Sequence, residues 1–274
     1  MSNLDAELLR QLVQAASSGR LADVQVFAEI DSTNSYLMQL PGPVPGKVSI
    51  AATSNQTAGR GRHGKIWQSP AGSGLCLSAA YTFASQPGNL PALTLAIGLA
   101  VTYALEELGA VGVELKWPND LVVLDSKLGG ILTEVQRQSA AGVTVVTGIG
   151  INLNLVEALE PGMETDWARQ VVDLKQVCDV PPSPEELAGL LTKHLISAFI
   201  EYEESGFEPI AERWSKYDWL RGRQITVDTG AEQASGIGAG LADDGALLID
   251  TAEAGIRRIT SGTIVFAGSR GTEQ

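Results

Sequence analysis

The chain has 274 residues, 44% of them hydrophobic and 19% charged, with a formal net charge of −13. That suits one large globular domain plus a small one, and the acidity argues against a nucleic-acid partner, whose phosphates need a basic face. Two cysteines, Cys76 in an apolar strand pattern and Cys178 near a turn, argue against a thiolate metal site or a disulfide framework and fit a reducing cytoplasm. The first residues carry no basic leader or apolar segment, and no run reads as long enough to span a bilayer, so a cytoplasmic location with no membrane is expected.

Leu4, Leu8, Leu12 and Val13 recur at helical spacing and predict a first helix with Asp5 and Glu7 at its start, stopped by Ser17-Ser18-Gly19. Val24 to Ile30 alternates as a strand, after which Asp31 or Ser32 caps a short helix closed by Pro41-Gly42. Lys47 to Ala52 predicts a strand, and Leu75, Leu77, Ala79, Tyr81 and Phe83 another. Asn89 and Pro91 open a nearly all-apolar helix reaching Leu108, which must be buried. Val111 to Leu115, Leu121 to Leu124, Gly130 to Gln136 and Val143 to Asn152 read as closely spaced strands, hence an antiparallel or mixed sheet. Ser183-Pro184-Glu185-Glu186 is a capping box for a helix ending at Gly206, and a shorter helix covers Pro209 to Lys216. From about Arg221 come short strands: Gln224 to Val227, Gly236 to Leu241, Ala246 to Ile249 and Ile256 to Val265. The expected class is α+β: a mixed or antiparallel sheet with packed helices, plus a small C-terminal β-barrel.

One stretch stands apart chemically. Ser54 to Trp67 holds three glycines, two arginines, a histidine and a lysine, and no Asp or Glu occurs from Ser32 through Leu105. An acidic chain that clears carboxylates from so long a segment and places Arg60, Arg62 and Lys65 in it reads as an anion site; the plainer reading is a basic surface loop. Gly59, Gly61 and Gly64 match the dinucleotide fingerprint, but no helix opens there and no acidic residue follows at the ribose position. Gly59 to Lys65 also matches the start of a P-loop, but Ile66 stands where a hydroxyl should hold magnesium.

Further motifs follow in order: Asp31-Ser32-Thr33-Asn34 before the loop, then Lys116-Trp117-Pro118-Asn119-Asp120, Lys127-Leu128-Gly129-Gly130-Ile131-Leu132 and Gly148-Ile149-Gly150-Ile151-Asn152. With Gly59-Arg60-Gly61-Arg62, this ordered set closely resembles the biotin protein ligases, strongly from Val26 to Leu155 and loosely beyond. His63 and Lys65 stand where many members carry arginine, and Lys65 lacks the planar fork for bidentate contact. The resemblance implies a class II synthetase-like catalytic domain over residues 23–219, after an N-terminal helix or tail over 1–22 and before the small barrel over 220–274. About 22 residues before the catalytic pattern are too few for the winged-helix module of the repressor members, so a monofunctional ligase is expected.

The same resemblance implies the chemistry: ATP and biotin give biotinyl-5′-AMP, which acylates a lysine of a biotin carboxyl carrier protein. It assigns Ser32, Thr33, Asn34 and Gln56 to the ureido head of biotin, although helix capping explains Ser32 as well. Gly59, Arg60, Gly61 and Arg62 would close over biotin, with Arg62 and Lys127 as catalytic cations. Lys127 would also bind both substrates, and Gly129 and Gly130 would admit backbone close to biotin, where a β-bulge would need glycine too. Lys65, Trp67, Asn119, Asp120 and Asn152 go with Arg62 and Lys127 to the nucleotide, Trp67 covering adenine unless it is a core aromatic, and Asp120 holding Mg²⁺. A monomer or weak homodimer is expected. The rivals are a lipoate ligase of the same fold and a non-catalytic biotin sensor acting through DNA.

Overall fold

The computed structural model describes residues 4–139, 142–159, 171–252 and 254–265. Helix α1 (Ala6–Ala16) starts where Asp5 Oδ1 accepts from the backbone N–H of Glu7 and Leu8 at 3.1 and 3.0 Å. Its buried residues are Leu9 and Val13, an i, i+4 pair, whereas Leu8, expected inside, is 41% exposed. The helix rolls because Leu12 seats on Gly189, where an added Cβ would lie 3.3 Å from the Leu12 Cβ.

Strand β1 (Leu21–Phe27), helix α2 (Thr33–Gln39), β2 (Val48–Thr53), β3 (Gly74–Phe83) and helix α3 (Leu93–Glu107) follow. Then come β4 (Glu114–Lys116), β5 (Asp120–Val123), β6 (Ser126–Ser139) and β7 (Gly142–Asn152). They form a seven-stranded sheet in the order β1-β2-β3-β7-β6-β5-β4. β1 pairs with β2 in parallel and every other pair is antiparallel, the mixed sheet expected from the short strand spacing.

After the short helices α4 (Leu155–Ala158) and α5 (Leu174–Val177), helix α6 (Pro184–Ser205) opens with the expected capping box: Glu186 N donates to Ser183 Oγ at 3.2 Å and Ser183 N to Glu186 Oε2 at 2.9 Å. α6 covers α3 and α1, and Asp5 N donates to Glu185 Oε1 at 2.7 Å. On length and composition alone Leu90–Glu107 could cross a bilayer, contrary to the sequence reading; 67% of it is buried inside the fold. His194 on α6 lies 2.8 Å from Glu107 on α3, a structural contact.

α7 (Glu208–Trp214) leads into β8 (Gln224–Asp228), β9 (Gln233–Leu241), β10 (Leu247–Thr251), β11 (Gly255–Ile259) and β12 (Thr263–Val265). The order β11-β10-β9-β8-β12 is a five-stranded antiparallel sheet. β11 and β12 do not pair with each other among the described residues, which show a five-stranded sheet and no closure into the expected barrel. The single strand expected over Ile256 to Val265 breaks near Gly262, where a Cβ would meet Val227 Cγ1 at 2.6 Å. This sheet docks on the larger one through Trp117 Nε1, which donates to Gly245 O at 3.1 Å.

Candidate active site

Every residue of β3 is buried, because both faces of the sheet are covered. Leu75, Leu77, Ala79, Tyr81 and Phe83 join the main core, while Ala80 joins a smaller cluster with Leu37, Ala51 and Val146 under α2. The α2 face is unusual in its side chains. Reading across the strands, one row is Thr53, Cys76, Gly150, Gly130 and Asp120. The next is Ala51, Ser78, Gly148 and Leu132. Small residues at successive ladder positions leave a trough in the sheet, and the site is built in it.

Trp67 lies in that trough. A Cβ at Gly150 would come within 2.6 Å of its Cε2 and Cζ2, and one at Gly130 within 3.3 Å of its Cζ3. Gly148 makes room for Asn34 in the same way, since a Cβ there would sit 2.3 Å from Asn34 Oδ1. Beneath Trp67 the buried Cys76 thiol is pushed up to about 12 by burial, which makes it an inert thiol.

Two clefts meet at this tryptophan. One, of about 210 Å³, is lined by Ser32, Thr33, Asn34, Gln56, Arg60, Gly61, Arg62, Ser78 and Asn119, with Gly262, Thr263 and Ile264 from the small sheet. The other, of about 690 Å³, is lined by Gln68, Val122, Asp125, Asn152 and Leu155. Lys65, Trp67, Lys116, Asp120 and Lys127 line both.

The inner end of the first cleft is a chain of hydrogen bonds. Gln56 Oε1 accepts from Thr33 N at 2.8 Å, Thr33 Oγ1 lies 2.7 Å from Ser78 Oγ, and Ser78 Oγ donates to Asn34 Oδ1 at 2.6 Å. Ser32 is the helix cap that its alternative reading required: its Oγ accepts from Ser35 N at 3.3 Å. Arg60, Gly61 and Arg62 come from a small hairpin over residues 59–67, closed by Gly61 N to Lys65 O at 2.7 Å and Trp67 N to Gly59 O at 3.0 Å.

The shared wall is electropositive. Lys127 Nζ lies 2.7 Å from Asp120 Oδ1 and 5.6 Å from the centre of the Trp67 ring. Burial lowers the Lys116 ammonium below its ordinary value; Asp120 pulls it back up, while Lys127 and Lys65 add to the lowering. Burial also lowers Arg62, against the pull of Asp120. Several cations thus crowd one carboxylate, a surplus suited to phosphate oxygens.

Two expected glycines stand elsewhere. Gly59 packs on Trp67 O, which its Cβ would meet at 2.4 Å, and Gly129 on Gly150 O at 2.6 Å, so neither lines a cleft. Asn152 lines the second cleft as expected, but it is 2% exposed and its Nδ2 is spent on Lys127 O and Val172 O at 3.1 and 3.0 Å, so its amide also positions β6. Asn119 reaches the first cleft, yet its Nδ2 donates to Ile131 O at 2.9 Å, which leaves Oδ1 to face Arg62 Nη1 at 3.5 Å. Among the described residues no three His, Cys, Asp or Glu side chains group as a metal cage. Ser78, Lys116, Glu134 and Gly262 to Ile264 were missed by sequence reasoning. Ser78 left a signal, a hydroxyl within an apolar strand, and Lys116 another, as the first residue of the Lys116 to Asp120 motif.

Comparison with known proteins agrees with this geometry. Residues 26–152 match the Biotin/lipoate A/B protein ligase family, and residues 221–267 match the Biotin protein ligase C terminal domain. The Bifunctional ligase/repressor BirA of Escherichia coli is 35% identical over 228 residues, covering 83% of this chain and 69% of that protein. The Biotin--[acetyl-CoA-carboxylase] ligase of Paracoccus denitrificans is 31% identical over 248 residues, 89% of this chain and 100% of that one. Among solved structures, the biotin protein ligase from Aquifex aeolicus in complex with biotin and ATP superposes with a TM-score of 0.72 at 28% identity, covering 89% of this chain and 98% of that one. With the trough, the paired clefts and both matched regions in one chain, the protein belongs to the biotin protein ligase family.

Proposed function

We infer that the protein activates biotin with ATP to biotinyl-5′-AMP and transfers the biotinyl group to a lysine of a biotin carboxyl carrier protein. The observation that carries this reading is the pair of clefts divided by Trp67 and Lys127. The polar end of the first cleft suits a ureido head, and the larger cleft suits the nucleotide. A carboxylate leaving the first and a phosphate leaving the second would meet at the shared wall.

In the first step a biotin carboxylate oxygen attacks the α-phosphorus, the bond to the bridging oxygen breaks, and pyrophosphate leaves. Two anions must approach, so the protein's work is positioning and neutralisation. Lys127, on the wall shared by both clefts, and Arg62, in the first cleft, would supply it, helped by Lys65 and Lys116 on the same shared wall. In the second step the carrier lysine amine attacks the acyl carbon, AMP leaves with the bonding pair, and the amine's proton passes to water. Mg²⁺ would neutralise nucleotide phosphates, and Asp120, the carboxylate on the shared wall, would hold it only by giving up its 2.7 Å pair with Lys127, so the phosphates themselves would supply most of its oxygens.

The test is intact mass and pyrophosphate release. With biotin, ATP, magnesium and a biotinyl carrier domain, the carrier is expected to gain one biotin, and pyrophosphate to appear even without the carrier. Release with lipoate and none with biotin would overturn the substrate. Lys127→Ala is expected to lower biotin activation by about 100-fold or more with the fold intact, because its side chain is 38% exposed.

A further inference from the structure

Glu134, on β6, touches two parts of the biotin cleft that lie far apart in the chain. Its Oε1 is 2.6 Å from Arg60 Nη2 and its Oε2 is 3.1 Å from Arg60 Nη1, so the guanidinium fork grips both oxygens. Its Oε2 also accepts from Asn34 Nδ2 at 3.1 Å. Arg60 belongs to the basic hairpin, whereas Asn34 is 3% exposed at the inner end of the cleft.

The second contact sets a direction. A carboxylate accepts and does not donate, so Asn34 turns its NH2 toward Glu134 and toward Leu132 O, 3.2 Å away. Its Oδ1 is then left for Ser78 Oγ at 2.6 Å, which uses the Ser78 proton. With the Ser78 proton used, the 2.7 Å contact between Ser78 and Thr33 draws on the Thr33 proton, for which Gln56 Oε1, 3.1 Å away, is a second acceptor. Glu134, with the Leu132 carbonyl, thus fixes the polarity of this row through Asn34 as far as Ser78.

We propose that Glu134 is a positioning residue of the biotin cleft, latching the basic hairpin closed through Arg60 and orienting the ureido-binding hydrogen bonds through Asn34. The proposal rests on the functional reading above. It also separates the arginines: Arg60 is paired within the protein, which leaves Arg62 to meet the anions of the reaction.

Glu134→Gln keeps an acceptor for Asn34 but sets an amide against Arg60, while Glu134→Ala removes both contacts. Biotin-dependent pyrophosphate exchange is measured for these variants, for Arg60→Gln and for the Gln/Gln double variant. Glu134→Gln is expected to raise the biotin KM about 10-fold with a smaller fall in kcat, Glu134→Ala to raise it further, and the double variant to be no worse than Arg60→Gln alone. A Glu134→Gln KM equal to wild type, or multiplicative effects in the double variant, would overturn the proposal; a merely structural role would lower thermal stability without a selective KM effect. Hydrogen exchange of residues 57–66 without substrate gives an independent reading. Faster exchange in Glu134→Gln is expected, and an unchanged rate counts against the latch. Absence of biotin-dependent exchange in the wild type would sink the functional reading alone, and the hairpin measurement would still decide the latch.

Discussion

A methyl group at position 150 has no room. It would press to 2.6 Å on the Trp67 indole, whose Nε1 is already buried beside the Cys76 thiol. Gly150→Ala is therefore expected to tilt Trp67 out of the trough, at a stability cost of about 1–3 kcal/mol. Because Trp67 borders both clefts, KM for biotin and for ATP should rise together. Gly88→Ala, with nothing within 4 Å of the added carbon, serves as the silent control. Steady-state kinetics and tryptophan fluorescence of the two variants check this, and a Gly150→Ala enzyme with one KM unchanged would mean that Trp67 serves only one ligand.

The element that decides access is the hairpin over residues 59–67. Its tip carries His63 at φ 55 and Gly64 at φ 74, and Ile66 is 71% exposed. A non-glycine residue in the left-handed region is costly and the hairpin has few hydrogen bonds of its own, so the Arg60–Glu134 pair is the main tie against local opening. Amide exchange at 56–67 is expected to be slowed by biotin with a non-hydrolysable adenylate analogue beyond the protection that the latch gives the unliganded protein. Equal protection in both states would show the hairpin to be preformed. At this scale the sequence was readable where the rule is local. The Ser183 capping box, the apolar run of α3 and the alternation of β3 each determine their own element. The roles of Glu134 and Asn152 were hidden, because they depend on strand register: Arg60 finds its carboxylate on β6, and Asn152 is turned onto the Lys127 carbonyl. Gly148 and Gly150 were visible as a motif, but that they form a floor follows only once β3, β7 and β6 are aligned.

Across the whole molecule, the joint between the two sheets contains a misplaced charge. Asp218 is 8% exposed and bridges to Leu115; its Oδ1 accepts from Leu220 N at 3.0 Å while Oδ2 has no partner among the described residues. Burial raises its pKa to about 6 from 3.8, against the pull of the Leu220 amide and Arg221. The folded state thus holds a proton that the unfolded state has released, so stability is full below the unfolded value and is lost as pH rises through about 6. Asp218→Asn is expected to raise stability by about 2 kcal/mol at pH 8, with the gain fading toward pH 4. Thermal melts across that range test it, and a gain that does not depend on pH would rule out the charge as its cause.

Helix α3 has one more consequence, for the order in which the chain is made. It ends at Glu107, yet the helix that covers it does not begin until Pro184, and α1 waits for the same cover. While the ribosome is still extending the central strands, a helix apolar enough to pass for a membrane segment has only an incomplete sheet to lie against. The nascent chain therefore displays a sticky surface for the whole interval, and its escape from aggregation depends on chaperone shielding or on prompt arrival of α6.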